Sequence, residues 1–157
     1  MFGIGKGSAA KSGKLTISSA SLEEQIHNVH ASLNRCLAND DFINVFYDVF
    51  MGTDDEIRGK FAHTDFEQQK KLLRKALLSA VTFAAGGAVA HERLEAIRAS
   101  HNRTNLDIKP EFYPIWVDSL IKAIATCDPQ YTPTLEADWR AVMKPTVEFL
   151  ASGYLEY

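Results

Sequence analysis

A chain of 157 residues fits one domain, large enough to bury a sizeable core or to enclose a cofactor. Hydrophobic residues make up 46% and charged residues 24%, an ordinary globular balance, and a net charge of −3 offers no electrostatic footprint for nucleic acid or an anionic membrane. The two cysteines, Cys36 and Cys127, have no CxxC or metal-type spacing and are expected to be reduced, partly buried thiols.

Residues 1–17 are rich in Gly, Ser, Ala and Lys and bury too little to order themselves. They read as a flexible leader, with some packing by Phe2 and Ile4, ahead of one domain over 18–157. They lack the apolar h-region of a signal peptide, and no run of about 18 apolar residues follows, so a cytoplasmic protein with no membrane partner is expected. Gly3, Gly5 and Gly7 do not form a nucleotide loop, because no strand precedes them.

The rest of the chain reads as helix. Ser21 and Glu24 form a capping box, and Leu22, Ile26, Val29, Leu33 and Leu37 recur at helical spacing, which predicts a first helix near 21–37. Asn39 or Asp40 can cap a second, with an apolar face of Ile43, Phe46, Tyr47 and Phe50 and a stop at Gly52. Thr53 with Glu56 opens a short helix, and Thr64 with Glu67 opens a long one. The long stripe Gln69, Leu73, Ala76, Leu77, Ala80 and Ala84 runs to a stop at Gly86-Gly87. A helix over about 88–102 follows, with Ala90, Leu94, Ile97 and His101 on one face. The next spans about 109–127, with Phe112, Trp116, Leu120 and Ile124 as its stripe. Thr132-Pro133 starts the last helix, which carries Leu135, Trp139, Val142, Phe149 and Leu150 and a kink expected at Pro145. No segment offers the period-two alternation of a hairpin, so the expected fold is all-α with about seven helices.

Polar residues interrupt three of these apolar faces. A lone histidine on such a face, as His101 is, is more often a hydrogen-bonded core residue than a ligand. The opposing helices shift that balance. Tyr47 offers a hydroxyl and Gln69 an amide on inward faces, and polar groups in one core want a shared partner. Phe61 falls in the turn between two helices, where a ring would otherwise be wasted in solvent. A haem pocket needs this set: a neutral imidazole for iron on one side, donors for a partly anionic ligand on the other.

In order and spacing these segments resemble the globin family, in particular bacterial single-domain globins and the globin part of flavohaemoglobins, over roughly residues 22–155. The resemblance rests on Phe46-Tyr47-Asp48-Val49-Phe50, on Phe61 fourteen residues after Tyr47, and on Thr64-Asp65-Phe66-Glu67-Gln68-Gln69. It continues through Leu94 to His101, through Ile108-Lys109-Pro110-Glu111 with Tyr113, and through Leu135 to Trp139. It implies haem b, with His101 as the axial ligand, Tyr47 as the main distal donor and Phe61 packed on the porphyrin. An ungapped alignment from Phe61 selects Gln69 as second donor, with Leu73 one turn on; a short deletion selects Gln68 with Leu72 instead. The stripe through Leu73, Ala76 and Leu77 favours Gln69. Ile97 and Trp116 are further candidates for contact with the cofactor. Tyr113 would support the proximal histidine, as its counterpart does in flavohaemoglobins.

The family's proximal glutamate is replaced here by Tyr154, counting from Trp139, and a neutral phenol pushes less charge onto the imidazole. Reversible binding of dioxygen, nitric oxide or carbon monoxide, for oxygen transport or gas sensing, is therefore favoured over activation of the ligand, and no catalytic residue is assigned. Nitric oxide dioxygenation with a separate reductase and a haem-free signalling module with a partner chain are the alternatives; the chain is expected to be a monomer or homodimer. His27 and His30 at i, i+3, His63 and His91 read as solvated or packed rather than as metal ligands. Most of Lys70, Lys71, Arg74 and Lys75 reads as a solvated face, with one or two able to pair with propionates.

Overall fold

A computed structural model describes residues 20–156. The leader expected over 1–17 lies outside the described residues. Among those described there are seven α-helices and no strand. They are α1 (Leu22–Leu37), α2 (Phe42–Met51), α3 (Asp55–Lys60), α4 (Phe66–Ala84), α5 (Ala88–Ser100), α6 (Phe112–Cys127) and α7 (Pro133–Ser152). No helix is long and apolar enough to cross a membrane.

Four of the seven helices start where a side chain satisfies free backbone donors. Ser21 and Glu24 make both bonds of the capping box, and Thr132 caps Leu135 ahead of Pro133. Two starts differ from expectation by one residue. Asp54 rather than Thr53 caps α3, accepting from the amides of Glu56 and Ile57, and Asp65 rather than Thr64 caps α4. A carboxylate facing the positive helix end is the stronger acceptor and displaces the neighbouring hydroxyl. Thr53 instead donates to the Phe50 carbonyl at 2.6 Å. Similarly, Asp41 is the N-cap of α2, and Asn39 holds its amide at 2.9 Å. Between α4 and α5 the chain reverses at Gly86, whose φ of +89° disfavours any side chain. The last helix continues through Pro145.

The helices pair off: α2 lies on α6, α1 on α7, and α4 contacts both α5 and α7. One contiguous core joins Leu33, Phe46, Leu77, Leu120, Ile124 and Trp139. Ala90 and Leu94 of α5 are buried but stand outside that cluster. Helix stability in proteins comes mainly from packing, and α5 draws its own from α4 and α7 rather than from that cluster.

A buried polar knot holds the far end of the bundle. Asp128 accepts from Arg35 Nε at 2.7 Å and Nη2 at 2.9 Å, and from Ser32 Oγ at 2.6 Å. Ser32 in turn accepts from the Trp139 indole N–H at 2.9 Å. Burial alone would raise the Asp128 carboxyl, but the bonds from Arg35, Ser32 and the Gln130 amide hold it below the usual range. Both cysteines are buried and free.

Candidate functional site

The distal wall is built by α2, α4 and the turn before α4. Tyr47 sits on the inward stripe of α2 and is 4% exposed. Gln69, half-buried one turn into α4, donates from Nε2 to the Tyr47 hydroxyl oxygen at 3.0 Å. Because the oxygen is the acceptor in that bond, the Tyr47 O–H proton is left to point elsewhere, and no acceptor among the described residues takes it. Burial pushes the phenol up to about 12, with the Gln69 bond opposing, so it stays protonated at any physiological pH. Edge-on rings surround it: Phe46 at 5.1 Å and Phe61 and Phe66 at 5.6 Å between centroids. Trp116, half-buried on α6, joins through Phe46 at 5.7 Å. Leu73 is buried beside this wall, whereas Gln68 is exposed and Leu72 is 47% exposed. The structure therefore joins Tyr47 to Gln69 and leaves Gln68 facing solvent.

The proximal wall is the last turn of α5. His101 is the C-cap of that helix and half-buried. Its Nδ1 lies 2.9 Å from Ser100 Oγ, and Ser100 Oγ donates to the Ile97 carbonyl at 2.8 Å. With the Ser100 proton on Ile97, the imidazole donates at Nδ1 and Nε2 carries the lone pair; Nε2 makes no hydrogen bond among the described residues. Burial lowers the basicity of His101 and so favours the neutral ring, offset only in part by the Ile97 carbonyl. Ile97 is half-buried on the same face.

Tyr113, at the start of α6, is buried, and its hydroxyl has no hydrogen-bond partner. Such an orphan is rare in a folded protein, and Thr146 Oγ1 is the other among the described residues. Tyr154 does not bond to it; its hydroxyl donates to Asp107 at 2.6 Å in the link after His101. Ser100 and Phe66 are site residues that the helical stripes did not reveal. A serine directly before an inward histidine at a helix end is the one signal for the first, since such hydroxyls favour local carbonyls.

Elsewhere, His27, His30 and His63 are exposed, and His91 stacks near Phe83 and Phe149 and pairs with Glu95. No cluster of three or more His, Cys, Asp or Glu able to hold a metal occurs among the described residues. Lys70 pairs with Glu67 at 3.9 Å.

Helices joined in this order, with an inward histidine ending one and a tyrosine–glutamine pair on two others, form a haemoglobin-like bundle. A solved protein of Pseudomonas aeruginosa PAO1, described as structurally highly homologous to a human hemoglobin, superposes with a TM-score of 0.81 at 36% identity, over 84% of this chain and 99% of that one. No protein-family model matches the chain, and no curated protein does. The chain belongs to the globin family. That fold points to haem, and the residues fit it: an imidazole held with a free Nε2, a phenol proton without an acceptor, and a buried hydroxyl lacking a partner.

Proposed function

We propose that the chain is a haem protein that reversibly binds a diatomic gas, dioxygen first and also nitric oxide or carbon monoxide, for oxygen binding or gas sensing. The observation that carries this reading is the Ser100–His101 contact at the end of α5, which suits a tautomer with its lone pair on Nε2. Haem b, when bound, supplies an iron atom with one open coordination position. His101 would hold the iron, and Ser100 keeps the ring in the correct tautomer and orientation. On the other side Tyr47 donates its O–H to the ligand, while Gln69 holds the phenol oxygen and keeps a second amide proton to share. Phe61, Leu73, Ile97 and Trp116 line the faces and exclude water, with Leu72 at the edge.

Ligand binding is favoured over ligand activation because, among the described residues, no carboxylate bonds the His101 ring or the Tyr113 hydroxyl. Tyr113 has no acid to relay from, and the Tyr154 hydroxyl is committed to Asp107. The deciding experiment is the ferric and ferrous absorption spectrum of the haem-reconstituted chain beside His101→Ala. A Soret band in the wild type that is lost or shifted in the variant is expected. No Soret band in the wild type would overturn the reading and leave a haem-free module.

A further inference from the structure

The link from His101 to Ile108 is tied down on several sides. The Ile108 amide donates to the His101 carbonyl at 3.0 Å and closes its base. Asn102, buried directly after the histidine, accepts on Oδ1 from the Thr104 amide and hydroxyl and from the Asn105 amide. Its Nδ2 donates to the Glu156 carbonyl at 2.8 Å, and the Arg103 amide donates to the Tyr154 carbonyl at 2.9 Å. The turn that follows α7 is thereby clasped to the link.

At the tip of the link stands Asp107, with a φ of +54°, the only non-glycine residue of positive φ among those described. Aspartate tolerates this region better than most residues but still adopts it at a cost, so surrounding contacts must hold it there. One carboxylate oxygen accepts from the Tyr154 hydroxyl at 2.6 Å; the other faces Lys60 Nζ at 3.7 Å. Lys60 also donates to the Leu106 carbonyl at 3.3 Å. Beside this contact Lys109 pairs with Glu56 at 2.9 Å, a second strut between the same two segments.

Lys60 ends α3 and directly precedes Phe61, whose ring packs on Tyr47. Asp107 lies six residues beyond His101. The Lys60–Asp107 contact thus ties the chain beside the distal rings to the chain leaving the proximal histidine. A group held by His101 and covered by Phe61 would have this tie joining the two segments that carry them. Exposed pairs of this kind add little to global stability. They act instead on local opening, because each contact that must break first raises the barrier to separating the two walls.

We propose that Asp107, held by Tyr154 and Lys60, is a latch across the edge of the pocket that sets how fast haem escapes, an inference that rests on the haem reading above. Asp107 is a positioning residue here, acting through the link that carries His101. Asp107→Asn removes the charge while keeping a side chain suited to positive φ, and Tyr154→Phe removes only the hydroxyl. The assay is transfer of ferric haem from the reconstituted full-length chain to an excess of apomyoglobin, followed in the Soret region, alongside thermal melts of the haem-free chain. Each variant is expected to release haem about fivefold faster or more, the loss of one exposed pair or bond. Their ferric spectra and haem-free melting points should match the wild type. Unchanged transfer rates in both variants would overturn the latch. So would a fall in haem-free stability as large as the gain in rate, since Asp107 would then merely hold the fold. A wild-type chain that takes up no haem removes the pocket reading itself, and that failure is visible before any variant is made.

Discussion

Replacing Tyr47 with phenylalanine deletes one oxygen from the distal wall and leaves the ring in its cluster with Phe46, Phe61 and Phe66. Two losses follow, and they differ in size. The first is the bond from Gln69 Nε2, 3.0 Å long in the wild type. Gln69 is half-buried and water can replace its partner, so the chain should lose at most about 1 kcal/mol of folding stability. The second is the phenol proton donated to the ligand. A hydrogen bond to a partly charged acceptor is worth about 1.5–3 kcal/mol, which is roughly tenfold or more in a dissociation rate. Stopped-flow displacement of dioxygen by carbon monoxide from the ferrous protein measures that rate directly. Because burial pushes the phenol up to about 12, the wild-type rate should also be flat between about pH 6 and 9, as no ionisation removes the donor there. An off-rate in Tyr47→Phe equal to wild type would refute the reasoning, since the unclaimed proton would then have no ligand to meet.

Three further outcomes are expected. His101 has its pKa lowered from 6.5 by burial, so the stability it contributes as a neutral ring is fully present above the unfolded value and is lost as pH falls through the lower folded one; urea titrations of the haem-free chain should show wild type losing stability on acidification more steeply than His101→Asn. Asp128→Ala strips the partner from Arg35 and Ser32 in a knot whose carboxylate side chain is fully buried, and should cost about 3 kcal/mol by urea denaturation. Loading the chain with haem should slow amide hydrogen exchange more in α5 than in α1 or α7; equal slowing throughout would show that α5 is not the helix the cofactor supports.

Local signals made the helices legible. Ser21, Thr132 and Pro133 stand at helix starts because free backbone donors there need acceptors or no donor at all, and each motif is complete within four residues. The errors came where two acceptors competed side by side. Thr53 and Thr64 satisfy the capping-box pattern, but Asp54 and Asp65 offer a charged oxygen one position later and take the amides. In the site, Tyr47 and Gln69 were visible because each interrupts an apolar stripe, and the hydrogen bond between them follows from that shared face. Ser100 was not visible, since a serine at a helix end breaks no pattern. The Asp128 knot was beyond reach altogether: its partners Arg35 and Ser32 lie 93 and 96 residues away, and nothing in a single sequence links such positions.

The helix whose buried residues all stand outside the contiguous core is also the most chemically specified one. Of the thirteen residues of α5, only Ala90 and Leu94 are buried, and neither joins the contiguous core. Its apolar stripe nevertheless continues through Ile97 to His101, both half-buried. A stripe that outruns the protein available to cover it would be a defect in a domain built for stability alone. It makes sense when part of the packing is to come from a bound group, whose binding free energy then adds to folding through the state it prefers. The same shortfall explains why the chain after α5 is clasped so heavily, by Asn102 to Glu156, Arg103 to Tyr154 and Asp107 to Lys60. Those bonds hold the position of His101 from the loop side where the core does not hold it from the helix side.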